Sequence, residues 1–129
     1  MDIAEAIYKI CESLPHQEQY GLISQMQRAA VSIPSNIAEG AGRTTDKEFS
    51  HFVGISIGSA FELYTQVLLA ERIGYIDIIT KEEIISTISE LQRMLVGYKK
   101  KLDGILTSDN EEVLPPSSCD RLTSNNEVV

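Results

Sequence analysis

Residues 1–107 predict an all-α chain folded as an antiparallel, up-down-up-down four-helix bundle. Apolar side chains recur at helical spacing through four segments, and the breaks between them are short and carry Pro, Gly or a capping pattern. No period-2 strand pattern competes, apart from the brief Tyr75–Ile79 stretch. Short connections favour antiparallel neighbours, hence a bundle.

Ile3, Ile7, Ile10 and Leu14 follow 4-3-4 spacing and predict a first helix from Asp2 to Leu14. Pro15 stops it, because the residue before a proline is pushed out of the α region. The second helix is predicted from Glu18 to Gly42, with Met26, Ala30, Ile33, Ile37 and Ala41 in one apolar phase. A proline inside a helix removes one hydrogen bond and costs roughly 3 kcal/mol. A loop at Pro34 would reset the phase, and the phase survives, so the expectation is one continuous, kinked helix. Pro34 leaves the Ala30 carbonyl without its usual donor, and Ser32, Ser35 and Asn36 are near enough to satisfy it.

Thr45-Asp46-Lys47-Glu48 is a capping-box pattern that opens the third helix. Its core face is Phe49, Phe52, Val53, Ile57, Ala60, Phe61, Tyr64, Val67 and Leu68, and Gly74 is a natural terminating residue. Thr80-Lys81-Glu82-Glu83 repeats the capping pattern and is expected to start the fourth helix. There Ile84, Ile88, Leu91, Leu95, Tyr98, Leu102 and Ile105 alternate 4-3 as a heptad seam. Residues 108–129 are rich in Ser, Asn, Asp, Glu and Pro, and read as an acidic, mobile tail.

A chain of 129 residues suits one domain with a single core. The start (Met1, Asp2, Glu5) is unlike a signal peptide, and no apolar run approaches the ~20 residues that span a bilayer. Cys11 lies beside an apolar stripe and Cys119 in the tail, so the cysteines suggest a reduced, cytoplasmic protein rather than a disulfide framework. The net charge is −8, and half of it belongs to the tail. The remaining ten Lys/Arg face fourteen Asp/Glu, which counts against a large phosphate-binding surface.

No hydrolase elbow, phosphate-binding glycine loop, paired catalytic carboxylates or Cys/His zinc spacing is present. The expectation is a non-enzymatic protein with no cofactor, metal or small-molecule substrate. Glu48-Phe49-Ser50-His51 has the Glu-x-x-His spacing of di-iron bundles, but the only other histidine, His16, has Ser13 three places earlier. Ser50, Gly54 and Gly58 form a strip of small side chains that suggests close approach by another helix, from the same chain or a neighbour. Lys99-Lys100-Lys101, with Arg93 one to two turns earlier, is the only basic cluster, readable as a dipole complement or as phosphate contacts. Gln25, Arg28, Ser32, Asn36, Glu39 and Arg43 make a polar stripe along the second helix. It either supports the backbone around Pro34 or forms an inter-subunit contact. Leu63, Leu69, Ile85, Met94 and Leu106 are apolar outside the predicted core faces and point to self-association.

The run YGLISQMQRAAVSIPSNIAEGAGR, followed by KEFSHFVGISIGSAFELYTQVLLAERIGY, closely resembles the small four-helix-bundle proteins encoded in intervening sequences of bacterial large-subunit ribosomal RNA genes. That family is related to accessory proteins of diversity-generating retroelements. The resemblance implies a ring-like homopentamer and a link to 23S ribosomal RNA or another ribonucleoprotein, with RNA or DNA as partner. On that reading Arg28, Arg43, Lys47, Arg93, Lys99, Lys100 and Lys101 are the candidate phosphate contacts. The acidic balance favours the alternative, a protein–protein adaptor with no nucleic-acid role.

Overall fold

The computed structural model describes residues 1–108, so the expected tail, with Cys119 and Arg121, lies outside the described residues. Among the described residues four α-helices, α1 (Asp2–Cys11), α2 (Leu22–Ala41), α3 (Asp46–Arg72) and α4 (Ile78–Ser108), pack as a bundle, with one 3-10 turn at His16–Glu18. There is no strand among the described residues.

Helix α1 ends at Cys11, three residues before the expected stop. The chain then turns, with Ser13 Oγ donating to the Ile10 carbonyl at 2.7 Å. Leu14 is nevertheless buried, so its spacing foretells burial and not helix. Helix α2 starts at Leu22, later than the expected Glu18. Glu18 acts on that start from outside: its Oε2 accepts the Leu22 N–H at 3.1 Å, satisfying one of the orphan donors of a helix N-terminus. Its Oε1 accepts the Tyr75 hydroxyl at 3.3 Å, which ties the entrance of α2 to the α3–α4 connection.

Helix α2 runs unbroken through Pro34. The polar groups around the proline make hydrogen bonds within the chain, although not to the Ala30 carbonyl that the sequence suggests. Asn36 Nδ2 donates to the Ser32 carbonyl at 2.8 Å and to Ser32 Oγ at 2.9 Å. Ser32 Oγ meets Ser59 Oγ at 2.8 Å, and Ser56 Oγ donates to the Ile33 carbonyl at 2.9 Å. The last two bonds join α2 to α3. Residue numbers rise along α2 as they fall along α3, so the two helices are antiparallel.

At the α2–α3 turn, Thr45 Oγ1 accepts the Glu48 N–H at 3.2 Å, as its capping pattern predicts. The far end of α3 closes with the Tyr75 N–H on the Ala70 carbonyl and the Gly74 N–H on the Glu71 carbonyl. Gly74 has φ +86°, the left-handed conformation that this termination requires and that glycine adopts freely. The second capping pattern is misplaced. Helix α4 begins at Ile78, and its cap is Asp77, three residues ahead of the expected Thr80: Asp77 Oδ1 accepts the Thr80 N–H at 2.7 Å. An aspartate before two isoleucines is the true cap, concealed in sequence by the turn-like run Tyr75–Ile79.

That difference is testable by urea denaturation. Thr45→Ala is expected to cost about 1 kcal/mol, whereas Thr80→Ala should leave the midpoint unchanged. Asp77→Ala should lower it. The Thr80 backbone N–H beside the Asp77 carboxylate holds its pKa below the ordinary value. Asp77 therefore stabilises the fold fully above the usual carboxylate range and less as pH falls through its folded-state pKa. The gap between wild type and Asp77→Ala should narrow in acid.

Helices α3 and α4 are antiparallel too: Lys81 pairs with Glu71 at 3.9 Å near their connection, and Lys99 and Asp103 reach Ser50 at the other end. The core is continuous, with Ile7, Met26, Ile33, Val53, Leu63, Val67 and Ile88 fully buried. Leu63 is thus a core residue, not the surplus surface group its spacing suggests. In the heptad seam Ile84, Ile88, Leu95 and Leu102 are buried, Leu91 is half-buried and Tyr98 is exposed. Gln92 sits among them, wholly inaccessible to solvent.

Two further expectations need correcting. Helix α3 is, over its length, apolar enough to cross a bilayer, although no uninterrupted apolar run marks it; eleven of its residues are buried in the bundle. Within the chain, Gly54 and Gly58 of the small-residue strip do not mark a close helix approach. A Cβ on Gly58 would have no atom within 4 Å, and one on Gly54 would meet only Lys99 Cε, at 3.4 Å. The close approach is at Gly40, where an added Cβ would lie 2.8 Å from both Phe49 Cδ1 and Phe52 Cβ.

Candidate nucleic-acid interface

The α2–α3 turn and the last turns of α4 form one end of the bundle, because Ser50 is held by Lys99 and Asp103. This end collects Arg43, Lys47, Lys99, Lys100 and Lys101 against Glu39, Asp46, Glu48 and Asp103. Five cations to four acids makes it less acidic than the helical part of the chain, where acids exceed cations by four.

The cations here are not equivalent. Lys99 Nζ donates to Ser50 Oγ and to Asp103 Oδ2, each at 3.0 Å, so it is committed to the junction of α3 and α4. Its stem passes Gly54, where an added Cβ would touch Lys99 Cε only at ordinary contact distance, 3.4 Å. Lys47, Lys100 and Lys101 are exposed. Arg43 donates to Glu39 Oε1 at 2.6 Å, and its guanidinium stands 4.9 Å from the centre of the Phe52 ring. Ion pairing and the ring fix its direction, while the group keeps donors for an outside acceptor. Tyr98 packs edge-on to Phe49, with ring centres 5.5 Å apart, and remains half exposed.

Arg28 does not join this end, whereas Arg93 lies on α4 six residues before Lys99, about 9 Å at the helical rise. Arg28 precedes the end of α2 at Ala41 by thirteen residues, about 20 Å at 1.5 Å per residue, and Arg43 lies beyond that end. The polar stripe of α2 also divides. Ser32 and Asn36 serve the α2–α3 junction, Glu39 and Arg43 pair on the surface, and Gln25 and Arg28 are exposed or partly so. Glu48 and His51 are both exposed, and no three His, Cys, Asp or Glu residues converge among the described residues. Burial pushes the Cys11 thiol up, away from the reactive thiolate.

A second feature escapes the sequence. The start of α1 stands beside the middle of α2 and α4, leaving a groove of about 290 Å³ lined by Met1, Ile33, Pro34, Ile37, Leu91 and Met94. Met94 is apolar outside the predicted core face, but the groove depends on where α1 begins relative to α2, which spacing alone does not give.

The family described as 23S rRNA-intervening sequence protein matches residues 1–97. The chain belongs to this family. No curated protein matches it. The family match takes in Arg28, Arg43, Lys47 and Arg93 and stops short of Lys99, Lys100 and Lys101. The lysine cluster therefore lies outside the matched region.

Proposed function

We propose that this 23S rRNA-intervening sequence family member is a non-enzymatic, cytoplasmic scaffold that self-associates, as a pentamer, and touches structured ribosomal RNA with the α2–α3 end of each bundle. The observation that carries the reading is the gathering of Arg43, Lys47, Lys100 and Lys101 at one end of an otherwise acidic protein. Four cations per chain bind phosphate weakly, and a ring that repeats them multiplies the effect through avidity. Exposed Met94, Ile78 and Ile79 support self-association, since apolar surface of this kind marks interfaces.

Fluorescence anisotropy with a labelled large-subunit rRNA hairpin tests it. Lys47→Glu combined with Lys101→Glu should weaken binding at least about tenfold, since two phosphate contacts are replaced by repulsion. Arg28→Glu, far from that end, should have little effect. The net charge of −8 favours a second reading, a protein–protein adaptor. Wild-type binding no tighter than to a neutral polymer would select it.

A further inference from the structure

We infer that Tyr98 stacks on an unpaired base, so that the α2–α3 end of the bundle prefers looped or single-stranded RNA to a continuous duplex. This rests on the phosphate contacts proposed above and adds the class of nucleotide they hold. The bundle itself places the ring. Phe49 and Phe52 meet over Gly40, where an added Cβ would lie 2.8 Å from both side chains. Each phenylalanine carries one group of this end. The Arg43 guanidinium stands 4.9 Å from the centre of the Phe52 ring, and Tyr98 packs on Phe49 with the ring planes at 66°. In an edge-to-face pair the partner covers at most one face of a ring. Phe49 thus leaves Tyr98 a face, and Tyr98 is 43% exposed. Every base has a π-face, and stacking on an aromatic side chain is a sequence-tolerant way to hold unpaired nucleotides.

The charge around Tyr98 suits a phosphate. On a helix, the residues three and four places away are a side chain's neighbours. For Tyr98 these are Met94, Leu95, Lys101 and Leu102, with Lys101 exposed and no carboxylate among them. A nucleotide whose base lies on the ring then has a cation within reach of its phosphate. The acids of this end are engaged within the chain. Glu39 pairs with Arg43 and Asp103 with Lys99, while Asp46 and Glu48 lie in the first turn of α3, whose N-terminus favours them. The other exposed tyrosines lack this setting. Tyr8, 47% exposed, has Glu5 and Glu12 at the same spacings, and they repel phosphate. Tyr20 is 90% exposed but follows Glu18, which bonds Tyr75 at the end of the bundle opposite Lys101.

Anisotropy with two labelled RNAs tests this: a hairpin with an unpaired loop, and a blunt duplex with the same number of phosphates. Wild type should bind the hairpin about tenfold more tightly than the duplex, the scale of one stacked base. Tyr98→Ala should abolish that preference while still binding the duplex. Tyr98→Phe keeps the ring and should keep the preference, as should Tyr20→Ala, which removes an exposed ring elsewhere. Circular dichroism checks that each variant is folded. Equal binding of both RNAs by wild type, a preference that survives Tyr98→Ala, or one lost in Tyr98→Phe would overturn the inference. The phosphate reading would still stand on the loss caused by Lys47→Glu with Lys101→Glu. Binding to neither RNA would overturn both. A second copy of this chain is the other occupant an exposed ring could have. Light scattering that finds the assembly smaller in Tyr98→Ala than in wild type would assign the ring to self-association and overturn base stacking.

Discussion

Gly40→Ala is expected to destabilise the protein, although alanine is the better helix former. The gain in propensity is at most ~1 kcal/mol. Against it stands an added methyl 2.8 Å from Phe49 Cδ1 and Phe52 Cβ. Phe52 Cβ is fixed to the backbone of α3, so the contact is relieved only by moving α3 off α2, and overpacking of this kind costs about 1–3 kcal/mol. The steric cost exceeds the propensity gain, and the urea midpoint should fall. Gly58→Ala has nothing to meet within 4 Å and should stabilise by roughly 0.5–1 kcal/mol. Opposite signs for one chemical change in two helices would locate the close approach directly. A gain at Gly40 would mean that α2 and α3 are farther apart there.

The second large effect lies in the core. Gln92 is fully buried, and neither Oε1 nor Nε2 has a hydrogen-bond partner among the described residues. An unsatisfied buried polar group costs about 1–3 kcal/mol. Gln92→Met keeps the unbranched shape and nearly the volume while removing both groups. It is expected to stabilise by at least about 1 kcal/mol, read as a higher urea midpoint with an unchanged slope. Gln92→Ala should destabilise instead, because it leaves a cavity. A loss of stability in the methionine variant would show that Gln92 has a partner in solution. Gln66 is a milder case: its Nε2 reaches Glu62 at 3.2 Å and only its Oε1 is unpaired.

Features governed by local chemistry are legible in the sequence. The unbroken phase of Met26, Ala30, Ile33 and Ile37 reveals a helix through Pro34. Thr45 as a cap and Gly74 as a terminator are legible because a hydroxyl acceptor and a left-handed residue are needed at those places. Features set by neighbours are not. Glycine propensity marks Gly54 and Gly58 as costly, but only the placement of Phe49 and Phe52 shows that Gly40 is the crowded one. Lys99 looks like its neighbours in sequence; Ser50 and Asp103, from different helices, claim it. Gln92 does leave a signal, since Ile88, Gln92 and Leu95 follow core spacing and a polar residue there is out of place. Within the candidate interface, sequence supplies the residues and the fold sorts them, joining Arg43 and Lys47 to the end of α4 and leaving Arg28 apart.

The salt dependence of RNA binding by the full-length protein decides between a repeated phosphate-binding end and an adaptor. One chain offers Arg43, Lys47, Lys100 and Lys101 at the proposed interface. Each phosphate contact contributes about −0.9 to the slope of log K against log salt on duplex DNA and about −0.7 on single strands, so a single copy reaches no further than roughly −3.6. A scaffold that repeats this end around an assembly should give a steeper slope with a structured rRNA fragment, and Lys47→Glu with Lys101→Glu should flatten it. A slope near zero, unchanged in that variant, would contradict RNA binding through this end and leave the protein–protein adaptor in its place.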